Sequence, residues 1–170
     1  MSKTVGVVGL GIMGGAMSAN LLKDGFEVFG FDLDADKNAA VADAGGTILG
    51  SPKEVAEKAG RVIISLPSMA ALDAVCTGPD GLIAAGRTDL IAIETGTFPI
   101  ADKERNFKAL GDAGMTLLDC PLSGTGAQAR NKDLSIYASG DKEAADKCQD
   151  IFDGFGRSTF YVGEFGNGSK

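Results

Sequence analysis

Thr4-Val5-Gly6-Val7-Val8-Gly9-Leu10-Gly11-Ile12-Met13-Gly14 decides how the chain folds. A short valine-rich run ends in three glycines spaced G-x-G-x-x-G, and the helix-like Gly15-Ala16-Met17-Ser18-Ala19-Asn20-Leu21 follows. Glycine turns are common, so the pattern gains meaning only from a strand before it and a helix after it. In that setting Gly9 allows the tight turn, Gly11 leaves the approach to a diphosphate clear, and Gly14 lets helix and strand pack closely. The helix N-terminus, with Ile12 and Met13 in its first turn, then offers unpaired N–H groups to the phosphates.

Working outward, short apolar runs alternate with helix-like stretches along the rest of the chain. Strands are expected over 4–9, 27–32, 47–49, 61–66, 89–94, 115–119, 134–139 and 159–162. Helices are expected over 12–24, 36–44, 52–59, 69–76, 99–113 and 142–152. The first six strands are rich in Val, Ile and Leu without strict alternation, the pattern of parallel strands buried on both faces. Ser51-Pro52 and Phe98-Pro99 place proline at a first helical turn, and Gly25, Gly45 and Gly114 stand where helices end. Alternation of this kind implies right-handed βαβ units. The expected fold is α/β, a doubly wound Rossmann-type dinucleotide-binding domain with a mostly parallel sheet over residues 1–162. Residues 163–170, rich in glycine, read as the start of a connector to a further domain.

Composition narrows the chemistry. A formal net charge of −7 argues against nucleic acid and anionic lipid. No stretch approaches the roughly 20 apolar residues that cross a bilayer. Strand-like sequence starts at Thr4, leaving no room for a secretory signal, so a cytoplasmic location is expected. Cys76, Cys120 and Cys148 are too far apart for a zinc site and read as buried, inert thiols. The chain contains 0 histidines, which rules out Ser-His-Asp and Cys-His arrangements built from its own residues. There is no P-loop. Tyr137 and Tyr161 are followed four residues later by Asp141 and Phe165, so the Tyr-x-x-x-Lys pair of short-chain dehydrogenases is absent.

Asp32 ends the second strand, 18 positions after Gly14. A carboxylate there accepts the hydroxyls of an adenosine ribose and repels a 2′-phosphate. Leu33 stands where an arginine would be wanted to hold that phosphate. NAD is therefore favoured over NADP.

The stretch from Val5 to Leu21, including Met13-Gly14 and Asn20-Leu21, resembles the opening of the β-hydroxyacid dehydrogenases, the family of 3-hydroxyisobutyrate and 6-phosphogluconate dehydrogenases. The likeness extends over essentially the whole chain. Ile64-Ser65-Leu66-Pro67-Ser68 is similar to the family's loop beside the cofactor ribose, which implies that role for Leu66 and Pro67. Thr95-Gly96 replaces a cofactor-facing Ser-Thr pair, and the resemblance puts the nicotinamide near Thr95, with Thr97 offering the second hydroxyl. Asp119-Cys120-Pro121-Leu122-Ser123-Gly124 is similar to the family's D-x-P-V-S-G, implying that Ser123 and Gly124, with Thr125 in place of a second glycine, hold a small carboxylate substrate. Lys132-Asp133 also departs from the family's usual Gly-Thr. The family's reactive lysine would fall two residues past Lys170, so no catalytic residue is assigned within the chain. The resemblance implies an oxidoreductase of β-hydroxyacids, or of the matching semialdehydes, that forms homo-oligomers through a helical second domain. By itself the chain is expected to be inactive. The alternatives are a related imine reductase and a dehydrogenase-fold scaffold without catalysis.

Overall fold

The computed structural model describes residues 2–170. In chain order the first half comprises β1 (Thr4–Val8), α1 (Ile12–Lys23), β2 (Glu27–Phe31), α2 (Ala35–Asp43), β3 (Thr47–Ile48), α3 (Pro52–Lys58), β4 (Arg61–Ile64) and α4 (Met69–Thr77). The second half comprises β5 (Ile91–Glu94), α5 (Ile100–Asp112), β6 (Thr116–Asp119), β7 (Leu122–Ser123), α6 (Gly126–Arg130), β8 (Ser135–Ala138), α7 (Lys142–Asp146), α8 (Gln149–Phe155) and β9 (Ser158–Tyr161).

Six strands form one parallel sheet in the order β3-β2-β1-β4-β5-β6. Successive strands on either side of β1 run outward in opposite directions, so a crevice opens at the C-terminal ends of β1 and β4. The central strands are apolar between their ends because helices cover both faces, with charged residues such as Arg61, Glu94 and Asp119 standing at the strand ends. Met17, Leu21, Phe152 and Phe155 of α1 and α8 pack on one face. Val55, Leu72, Val75 and Leu110 of α3, α4 and α5 pack on the other. Each buried Leu, Ile or Phe contributes about 1.5–3 kcal/mol, so the two layers supply most of the folding drive.

The expected strands and helices all form, with three differences. The helix expected over 142–152 is broken at Lys147-Cys148 into α7 and α8. The Cys148 N–H donates to Ala145, one residue short of the α-helical partner, and the turn lets Ala144, Ala145, Ile151 and Phe152 all face the core. Pro99 is the residue before α5 and not its first turn. Strand β7 and helix α6 carry too few residues to leave a periodic trace. They are held instead by pairing of β7 with β8 and by a reciprocal cap between Thr125 and Gln128. Gly25, Gly45 and Gly114 take positive φ after their helices, as expected.

Strands β7-β8-β9 make a second, mixed sheet, joined to the first where Asp119 and Ser139 exchange backbone hydrogen bonds. Residues 163–170 fold back over the C-terminal ends of β5 and β6. The Gly168 N–H donates to Ser139 Oγ, and the ring of Phe165 meets that of Phe107 edge-on at 4.3 Å. Among the described residues no helix is long and apolar enough to cross a membrane.

Helix α1 packs closely on the turn after β1. A Cβ on Gly14 would collide with the carbonyl oxygen of Gly9, a backbone atom that cannot swing aside. Gly14→Ala is expected to lower unfolding free energy by about 2 kcal/mol, the cost of overpacking a rigid site, measured by urea titration.

Candidate functional site

The glycine turn sits at the mouth of the crevice. Gly9 has φ +95°, and a Cβ there would strike the carbonyl of Ser65 at the end of β4. Two glycines are thus required by packing. Gly11 differs: a Cβ there would meet only Lys37 Nζ, at 4.0 Å. Its freedom from a side chain serves the space in front of the turn, not the fold behind it.

Helices α2, α3, α4, α6 and α7 each begin with a side-chain oxygen that accepts a first-turn N–H. Helices α5 and α8 lack such a cap but carry Asp102 and Asp150 in their first turns, whereas α1 begins at Gly11 with neither a cap nor a first-turn acid. Its leading N–H groups, with the positive end of the helix dipole behind them, face the crevice and fit an anion.

Asp32 stands beside this opening. Its Oδ2 accepts from the Leu10 N–H at 2.7 Å, and its Oδ1 accepts from the Asp34 N–H at 2.8 Å. Each oxygen keeps a further lone pair for another donor. Asn38 brackets the backbone of Asp32 with two hydrogen bonds, at 2.9 and 2.8 Å. Leu33 is 94% exposed, while Ile12, also exposed, touches the position a Gly126 side chain would take.

Behind the turn lies a cavity of about 280 Å³ lined by Met13, Leu66, Pro67, Thr95, Thr97 and Leu122, among others. It brings the motifs of four strand ends together. Thr95 lines it, but its hydroxyl donates to the Ile64 carbonyl at 2.8 Å and is 7% exposed as a residue, so Thr97 presents the freer hydroxyl. Ser123, Gly124 and Thr125 lie exposed just beyond Leu122 and do not line the cavity themselves. Thr125 is also the cap of α6, where its hydroxyl accepts the Gln128 N–H. This loop is brought to the turn by Asn20, whose Nδ2 donates to Ala129 at 2.8 Å and fastens α1 to α6. A larger groove of about 540 Å³ lies at the opposite end of the strands, but its Arg61 and Arg87 are satisfied by Asp150 and Asp89.

The profile of the NAD-binding domain of 6-phosphogluconate dehydrogenase matches residues 4–163. The chain belongs to this family. An L-threonate dehydrogenase from Cupriavidus necator is 32% identical, the match covering 100% of this chain and 58% of that protein. The mitochondrial 3-hydroxyisobutyrate dehydrogenase of Homo sapiens is 32% identical, covering 98% of this chain and 50% of that protein. The Mycobacterium tuberculosis 3-hydroxyisobutyrate dehydrogenase, solved with L-serine, superimposes with a TM-score of 0.92 at 28% identity, over 99% of this chain and 57% of that one. The chain spans about half the length of the curated relatives it matches.

Three residues of this NAD-binding domain have no role assigned from sequence, Asp119 entering only as the first residue of the D-x-P-V-S-G-like segment. Glu94, Lys103 and Asp119 meet at the ends of β5 and β6, fully buried, with Lys103 Nζ 2.8 Å from Glu94 Oε2 and 2.6 Å from Asp119 Oδ1. No local pattern sets Glu94 and Lys103 apart; only the proximity of the three in the fold marks them. Burial pushes the Glu94 carboxyl above its ordinary value, against the lowering effect of Lys103. Burial also raises the thiols, Cys76 and Cys148 to about 12, so they remain protonated and unreactive at neutral pH.

A carboxyl whose folded value is raised binds more protons folded than unfolded, so its contribution is fully present below 4.5 and is lost as pH climbs through the raised value. Urea midpoints measured from pH 4 upward are therefore expected to carry a falling component that Glu94→Gln removes, whatever the variant's overall offset.

Proposed function

We propose that this chain is the cofactor-holding domain of an oxidoreductase that binds NAD in preference to NADP and acts on the CH–OH group of a small β-hydroxyacid, or reduces the matching semialdehyde. The observation that carries the reading is the uncapped first turn of α1, open at Gly11 and flanked by the Asp32 carboxylate. The names of the relatives, dehydrogenases of threonate and 3-hydroxyisobutyrate, point to the same substrate class.

In this reading the N–H groups of Gly11, Ile12 and Met13 receive the diphosphate, with Gly9 and Gly14 keeping the turn tight beneath it. Lys37, close over Gly11, adds a cation to that side. The lone pairs of Asp32 not used by Leu10 and Asp34 accept the ribose hydroxyls. A 2′-phosphate would meet that carboxylate, with the apolar Leu33 beside it. Leu66 and Pro67 line the ribose side, and Thr95 and Thr97 border the nicotinamide, which when bound gives or takes the hydride. The Ser123 hydroxyl and the Gly124 N–H hold the substrate carboxylate with neutral donors, beside Thr125, whose N–H is given to Gln128 and whose hydroxyl hydrogen is the donor it has left. Holding the reactants together removes much of the entropic barrier.

Residues 1–162 form the cofactor domain in this proposal, and residues 163–170 lead to a helical domain that supplies the proton-transferring lysine and the homo-oligomer contact. The location is cytoplasmic. The 170-residue chain alone should produce no NADH from any hydroxyacid; turnover by it would place the reactive group within these residues instead.

Calorimetric titration with NADH and NADPH tests the site itself. NADH is expected to bind about tenfold or more tightly than NADPH, a difference of ~1.4 kcal/mol, and Asp32→Ala to narrow the gap. Gly11→Ala should weaken NADH binding by a similar factor while changing stability by no more than about 0.5 kcal/mol, because the added methyl enters open space. Tighter binding of NADPH by the parent would overturn the role given to Asp32.

A further inference from the structure

Lys103 lies on the inward face of α5, with Asn106 and Leu110, and its side chain is 0% exposed. An ammonium in such a place must have every hydrogen bonded. It has three, and each is accounted for: one to Asp119 Oδ1 at 2.6 Å, one to the Gly96 carbonyl at 2.5 Å and one to Ser169 Oγ at 3.0 Å. None remains for Glu94 Oε2, which stands 2.8 Å away as an ion partner with no aligned hydrogen bond. The other Glu94 oxygen accepts the Gly96 N–H at 2.7 Å, so the Gly96 residue is gripped at its N–H by Glu94 and at its carbonyl by Lys103.

The two neutral partners of Lys103 belong to different parts of the molecule. Gly96 is part of the wall of the 280 Å³ cavity. Ser169 belongs to the C-terminal segment, and it closes the network by donating its hydroxyl to Asp119 Oδ1 at 2.7 Å and its N–H to Asp119 Oδ2 at 3.0 Å. Were Ser169 to leave, one ammonium hydrogen would lose its acceptor, and the unbonded Glu94 oxygen is the nearest replacement. Turning toward it pulls the ammonium off the line to the Gly96 carbonyl.

We propose that Lys103 is a positioning residue: its buried ammonium couples docking of the C-terminal segment at Ser169 to the set of the cavity wall at Gly96. The inference rests on the reading of that cavity as the nicotinamide side of the dinucleotide site. What reaches the cofactor is the wall; Lys103 acts through it. Arrival of the segment that follows the domain and readiness of the pocket are thereby one event.

The experiment uses the 170-residue chain and reads two quantities, hydrogen exchange at the Gly96 amide and the NADH dissociation constant. Ser169→Ala is expected to speed Gly96 exchange about tenfold, with amides of β1 unchanged, and to weaken NADH about fivefold, the lower range of site-to-site coupling. Ser169→Thr, which keeps the hydroxyl, should restore both. In a background with the charges removed together (Lys103→Met, Glu94→Gln, Asp119→Asn), Ser169→Ala should add nothing further. If Ser169→Ala leaves Gly96 exchange unchanged, if threonine fails to rescue it, or if alanine has its full effect in the neutral background, the coupling is refuted. Should the neutral background not fold, the alanine and threonine variants decide the matter alone. A parent chain that binds no NADH defeats the dinucleotide reading, while the exchange measurement still judges the coupling.

Discussion

The hydrogen bond from the Leu10 N–H to Asp32 holds the site in one piece. It spans the gap between the turn after β1 and the end of β2, fixing the carboxylate at the edge of an open helix N-terminus. Everything around it serves that placement. Gly9 and Gly14 let the helix drop close to the strand, Asn38 steadies the backbone on which the carboxylate sits, and the parallel sheet sets the two strand ends side by side. In the proposed function the turn is therefore a preformed receptor, with little left to reorganise on binding.

The contrast among the three glycines shows how closely packing and recognition are interleaved. Two are demanded by neighbouring backbone, at which any side chain collides. The third borders space that the fold itself has no use for. A motif usually treated as one signature divides into a pair required by packing and a single position that packing leaves open, the one the proposed function assigns to the diphosphate.

The buried ammonium of Lys103 follows a different logic. Charges placed in a core are weak sources of stability, since desolvation offsets attraction. Their merit is direction: three hydrogens aimed at three acceptors allow one arrangement and resist others. Glu94 and Asp119 supply the charge, and the strands that carry them already end at the crevice, so the cluster lies directly under the cavity wall.

Residue pattern by itself determined the layer architecture, because buried parallel strands must be apolar on both faces and their connecting helices must be capped and ended by recognisable residues. It also marked the glycine turn and Asp32, while the resemblance to the β-hydroxyacid dehydrogenases marked the Leu66-Pro67, Thr95 and Ser123–Thr125 segments; each lies at the C-terminal end of a strand or just past it. Only the tertiary structure decided which of these share a cavity, that the Thr95 hydroxyl is spent on Ile64, and that the Ser123 loop stands beside the cavity and not in it. It alone brought Glu94, Lys103, Asp119 and Ser169 together. The physical reason is range. Turns, caps and periodicity are set by residues a few positions apart, whereas burial of a charge is set by partners distant in the chain, and no local pattern records them.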